Sequence, residues 1–134
     1  MKKTLLILTL LFIFNFNSFG NDRHSWTKLI NAIAKVESEY NPKAVSKNRK
    51  YVGYLQISKI IVDDCNRILG KNVYCYKHRY DKAKSIEMFI IIQRHYNSEK
   101  DIEKAIRLWN GGPTYDIQKT QEYYDKVIYW YNNL

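Results

Sequence analysis

Glu37 is a carboxylate set among apolar residues. On a helical wheel of about 100° per residue with Trp26 at zero, Ile30 falls near 40°, Ile33 near 340° and Tyr40 near 320°. Glu37 falls near about 20°, inside that stripe, whereas Lys28, Lys35 and Glu39 fall near about 180–220°, on the opposite face. A carboxyl group held against apolar neighbours resists ionising, so its pKa rises. Such a group keeps a proton near neutral pH and can serve as a general acid. A glutamate paired with one of the many Lys or Arg side chains would instead be a structural ion pair. The wheel alone leaves both readings open.

Other reactive side chains form no obvious cluster. Cys65 and Cys75 are ten residues apart, a spacing that fits no zinc motif, and His24, His78 and His95 are scattered. Neither a metal nor a cofactor is expected. In an exported protein the two cysteines are expected to close a short disulfide loop, the alternative being two free thiols. Asp63 and Asp64 are candidates for a second, water-activating carboxylate.

The elements that must position these residues read as consecutive helices. Apolar residues recur at helical spacing from Trp26 to Tyr40, with Ser25 as the expected N-cap and Asn41-Pro42 as the stop. A polar, basic loop is expected over residues 45–53, and a second helix over 55–69, closed by Gly70. Residues 71–80 read as loop and 81–96 as a third helix. Asp101 is expected to cap a short fourth helix that ends at Asn110-Gly111-Gly112-Pro113, and a last helix is expected over 120–131. The expected fold class is all-α, a compact domain of about five helices.

The chain has 134 residues, a length for one domain. Residues 1–20 have the layout of a secretory signal peptide. Lys2 and Lys3 precede an apolar run from Leu5 to Phe14, and Ser18 and Gly20 supply small residues for a cut after Gly20. The run is about ten residues, against roughly twenty needed to span a bilayer, so cleavage is expected rather than a stable membrane anchor. The expected division is a leader over 1–20 and one domain over 21–134, exported to the periplasm or cell envelope, with the exterior as the alternative. The formal charge is +9, and the leader carries two lysines and no acid, leaving +7 on the rest. This basic balance calls for an acidic partner. Export and the lack of a base-reading motif favour an envelope polymer over nucleic acid.

The residues around Glu37 carry a resemblance. Ala32, Glu37, Ser38, Asn41, Pro42, Ala44 and Ser46 are spaced like the first motif of the soluble lytic transglycosylase family, Glu-Ser followed by Asn-Pro and then Ala and Ser. Gly53-Tyr54-Leu55-Gln56-Ile57 is similar to that family's Gly-Leu-Met-Gln-Ile. The stretch from Ala105 to Pro113, with Trp109-Asn110-Gly111-Gly112, is similar to its Ala-x-x-x-Tyr-Asn-Ala-Gly-Pro. The stretch from Thr120 to Val127, with Tyr123 and Lys126, resembles its Tyr-x-x-Lys-Val segment, with Lys119 where that motif has Glu. The four motifs occur in the family's order over nearly the whole of 21–134.

The resemblance implies a lysozyme-like fold and cleavage of the glycan strands of peptidoglycan between N-acetylmuramic acid and N-acetylglucosamine, with formation of a 1,6-anhydro end. It implies Glu37 as the catalytic acid/base, and Ser46, Gln56, Asn110 and Tyr123 as residues of the saccharide site. A hydrolytic muramidase and a non-catalytic peptidoglycan-binding envelope protein are the alternatives. A small enzyme of this kind also suggests, by analogy, recruitment to a secretion or conjugation machine.

Overall fold

A computed structural model describes the backbone from Lys2 to Leu134 and side chains from Gly20 onward. The side chains on which the leader expectation rests lie outside the described residues. Five α-helices and one 3-10 turn follow in chain order: α1 (Lys2–Ser38), α2 (Lys59–Leu69), the 3-10 turn (Tyr76–Tyr80), α3 (Lys82–Tyr96), α4 (Ile102–Gly111) and α5 (Gln121–Asn133). Pairing outside helices is confined, among the described residues, to isolated antiparallel bridges of Val45 with Val52 and Val52 with Ile57. The all-α expectation holds. None of the helices, among the described residues, is long and apolar enough to cross a membrane.

Helix ends follow side-chain chemistry. Asp81 accepts from the Lys84 N–H at 2.9 Å and Asp101 from the Lys104 N–H at 2.6 Å, each satisfying a first-turn donor. Gly70 ends α2 in the left-handed region at φ 68°, which a Cβ would disfavour. Gly112 ends α4 at φ 78°, just before Pro113.

Two helix starts differ from expectation. Ser25 is no cap, because α1 passes through it unbroken; its Oγ donates back to the Asp22 carbonyl at 2.9 Å. Helix α2 begins at Lys59, not near residue 55, with Ser58 as its cap. Residues 53–57 instead make a tight turn closed by Gln56 N–H to Gly53 C=O at 3.1 Å.

Helix α3 is the centre of the domain. Ile86, Met88, Phe89, Ile90, Ile91 and Ile92 are all buried, so it is apolar nearly all round. Trp26 of α1 meets Phe89 edge-on at 5.9 Å, and Phe89 meets Trp109 of α4 at 5.0 Å. Helices α1 and α5 pack along each other, and α4 packs on α5. Asp22, itself buried, ties α1 to the end of α3 through Arg94 and to the following loop through Lys100.

The expected disulfide is not formed. Cys65 and Cys75 are both free thiols, the first buried and the second exposed. Cys65 lies on the core side of α2 with its Sγ against the Met88 carbonyl at 3.6 Å. Cys75 stands at the surface as the N-cap of the 3-10 turn. The ten-residue spacing is spent on the α2 end and the loop after it, which leaves the two side chains in different layers.

Candidate active site

Glu37 occupies the last turn of α1, one residue before Ser38 ends the helix. Glu39 and Tyr40 then both adopt positive φ, 50° and 68°, turning the chain toward Pro42. Ser38 fastens this helix end: its Oγ donates to the Tyr54 carbonyl at 2.8 Å. The partner turn is itself tightly built. Gly53 donates to the Ala44 carbonyl at 2.8 Å and has φ 84°, and a Cβ there would sit 1.8 Å from the Arg79 carbonyl oxygen. The Trp109 indole N–H donates to the Leu55 carbonyl at 3.3 Å, which ties α4 to the same turn.

Glu37 is half-buried and lines an open groove with Val36, Ser38, Glu39 and Asn41. Tyr123 of α5 donates its hydroxyl to Glu37 Oε1 at 2.7 Å. Burial pushes the Glu37 carboxyl up to about 7, and the Tyr123 hydrogen bond pulls the other way by favouring the ionised form. Tyr123 is in turn held protonated, by burial first and then by the adjacent carboxylate. Among the described residues no ion pair involves Glu37. Its described side-chain partner is a phenol, not one of the surrounding cations.

The other expected site residues fall into two places. Gln56, at φ 50°, spends its side-chain nitrogen on the carbonyls of Gly53 at 3.0 Å and Ala44 at 3.3 Å. Ser46 donates to Asn48 Oδ1 at 2.8 Å and accepts the Tyr51 N–H at 3.1 Å. Both therefore shape the 44–57 loop, and their described bonds do not reach Glu37. Asn110 is exposed on α4, in a groove it shares with Tyr51, Ser58, Tyr96 and Trp109. Of these residues only Tyr123 has a described hydrogen bond to Glu37. The two aspartates considered as a second carboxylate are engaged elsewhere. Asp63 accepts from Tyr76, and Asp64 from Arg67 and Tyr96. No group of three or more His, Cys, Asp or Glu among the described residues is placed to hold a metal.

The sequence reading assigned no role to Ser38, Tyr54 or Arg79, which position the site. Buried Arg79 reaches the carbonyls of Tyr76, Lys50 and Ile57 and so clamps the loop from behind. Ser38 and Tyr54 lay inside the motifs, but bonds to their partners' backbone leave no trace in residue type.

A carboxyl group at a helix end, its pKa raised by burial and its oxygen bonded to a phenol, is chemically able to exchange a proton near neutral pH. The family model described as Transglycosylase SLT domain matches residues 14–132, and the chain belongs to that family. Its fold is accordingly the lysozyme-like helical one, and it is a peptidoglycan lytic transglycosylase. No curated protein and no solved structure gives a significant match to the chain.

Proposed function

We propose that Glu37 is the single acid/base of a reaction that cleaves the bond between N-acetylmuramic acid and N-acetylglucosamine without water. The observation that carries this reading is the Glu37 carboxyl bonded to the Tyr123 hydroxyl at 2.7 Å, with burial raising its pKa to about 7. A group with that pKa is present in both protonation states near neutral pH, as an acid that later serves as a base needs to be.

Protonated Glu37 donates to the glycosidic oxygen as the C1–O bond breaks, and the N-acetylglucosamine leaves with that proton. The Glu37 carboxylate then takes the proton of the muramic acid 6-hydroxyl as O6 bonds to C1. A 1,6-anhydro ring results and Glu37 is protonated again. The nucleophile is part of the substrate, so its effective concentration replaces the second carboxylate that hydrolytic glycosidases use to activate water. Tyr123 steadies the ionised form of Glu37 between the two steps. Ser46 and Gln56 hold the loop beside the catalytic turn, and the Asn110 groove offers Tyr51 and Tyr96 to sugar faces.

The test is mass spectrometry of muropeptides released by the wild-type protein and by Glu37→Gln. Anhydro ends from the wild type and none from the variant are expected. Reducing ends only would establish the hydrolytic alternative, and unchanged lysis by Glu37→Gln would remove Glu37 from the mechanism.

Residues 1–20 act as a cleaved export leader, supported by Lys2, Lys3 and the apolar run behind them, and the remaining +7 charge suits an anionic envelope. N-terminal sequencing of the exported protein is expected to begin at Asn21. Recruitment to a secretion or conjugation machine, to open the wall locally, is the partner reading. Co-purification from envelope extracts that returned no such component would count against it.

A further inference from the structure

Arg107 is a buried cation, only 3% exposed, on a helix that supplies no group to Glu37. A charge taken out of water is costly unless its donors are satisfied. Its one carboxylate partner, Glu103 at 2.8 Å, lies a turn earlier on the same helix and is itself half exposed. The remaining donors go to neutral groups of a single segment. Nη1 donates to the Ile117 carbonyl at 2.9 Å and to Thr120 Oγ1 at 3.1 Å, and Nη2 to Gln121 Oε1 at 2.8 Å. The guanidinium also lies 4.5 Å from the centre of the Tyr124 ring.

That segment is the start of α5, two residues before Tyr123. The start lacks an ordinary cap: Thr120 makes no side-chain bond to a first-turn N–H and donates instead to the Asp116 carbonyl at 2.7 Å. A cation at a helix N-terminus also opposes the helix dipole. The electrostatics of the place therefore argue against an arginine, and what the arginine supplies there is a rigid fork of hydrogen bonds. The seat is tight on the other side too. A Cβ on Gly111 would stand 2.7 Å from Tyr115 Cβ and 2.8 Å from Thr120 Cγ2, so the end of α4 and the start of α5 already touch at the limit of contact.

We propose that Arg107 is a positioning residue for the reaction, fixing Thr120, Gln121 and Tyr124 so that Tyr123, between them, meets the Glu37 carboxyl. The inference rests on the reading of Glu37 as the acid/base. A slip of about 1 Å in the first turn of α5 would carry the 2.7 Å hydrogen bond out of its effective range. Arg107 itself makes no described contact with Glu37. Besides burial, Tyr123 is the group that shifts Glu37. Charged or titratable groups near that helix end include Lys35 on α1, Glu39 and Tyr40 just beyond it and Tyr54 across the Ser38 bond, and none of them has a described contact with Arg107.

The experiment measures kcat/KM on peptidoglycan against pH, with thermal melting, for wild type, Arg107→Lys, Tyr123→Phe and the double variant. A lysine keeps the charge but cannot reach four acceptors with one ammonium. Arg107→Lys is expected to move the alkaline limb upward by about one pH unit, in the direction of Tyr123→Phe, with KM unchanged. In the Tyr123→Phe background the same substitution is expected to move the limb no further. A lower melting temperature with an unmoved limb would make Arg107 merely structural, and a shift that persists without the Tyr123 hydroxyl would show another route. Should Arg107→Lys fail to fold, Gln121→Ala removes one acceptor at an exposed position and is read in the same way. Unchanged lysis by Glu37→Gln would instead overturn the underlying assignment of Glu37.

Discussion

Replacing Tyr123 by Phe removes one atom from the site, the hydroxyl that donates to Glu37 Oε1 at 2.7 Å. A hydrogen bond to a charged group is worth about 1.5–3 kcal/mol, and one pKa unit is about 1.36 kcal/mol. The bond favours the ionised carboxylate, so its loss raises the pKa by about one to two units. Burial remains, so Glu37 moves further above the ordinary carboxylate range. In the proposed role Glu37 must be protonated to donate to the leaving oxygen, so activity is expected to fall as pH rises through its pKa. The alkaline limb of kcat/KM is therefore expected to move up by about one to two units, while rates near pH 5 change less. A carboxyl-labelled NMR titration of Glu37 reads the same shift without turnover. An unmoved limb together with an unmoved titration would refute the reasoning, because the 2.7 Å contact would then not govern the ionisation of Glu37.

Glu37→Gln is expected to stabilise the protein in alkaline solution. The folded pKa of Glu37 lies above its ordinary 4.5, so the stability this group contributes is complete below 4.5 and is lost as pH rises through about 7. The loss is at most about 3 kcal/mol, so the variant should melt up to about 10 °C above wild type at pH 8 and near it at pH 4. Gly53→Ala puts a Cβ 1.8 Å from the Arg79 carbonyl at a positive φ, and urea titration should show a loss of about 2–4 kcal/mol with lytic activity reduced. Thiol titration of the native protein should find one reactive group, Cys75, and two in denaturant, since burial holds the Cys65 thiol up at about 12.

The fold was legible where a local rule acts alone. Asp101 caps because a short carboxylate before a helical pattern has few better uses, and Gly70 and Gly112 stop helices because they accept positive φ. The start of α2 was misread where tertiary contact overrides pattern. Leu55 and Ile57 are buried as a helix reading requires, but the approach of Gly53 to Arg79 and the left-handed Gln56 turn the chain before Ser58 can cap it. Ser25 failed as a cap because nothing from Gly20 onward interrupts the helix it was expected to begin. Glu37 showed itself by standing on the wrong face of a helix. Tyr123, 86 residues away, was reached only through the order of motifs, since no periodicity encodes which phenol meets which carboxyl. Arg107 lay in plain view within one of those motifs, where only its burial and its partners reveal a use.

The pairing of α1 with α5 also imposes an order of events in time. The carboxyl of Glu37 comes early in the chain and the phenol that modulates it comes from α5. A polypeptide emerging N-terminus first, from a ribosome or through a membrane, presents Glu37 long before α5 can dock on α1. Until then the carboxyl has neither its hydrogen-bond donor nor the cover of the last helix. Fragments that stop before Tyr123 therefore leave Glu37 without its phenol donor.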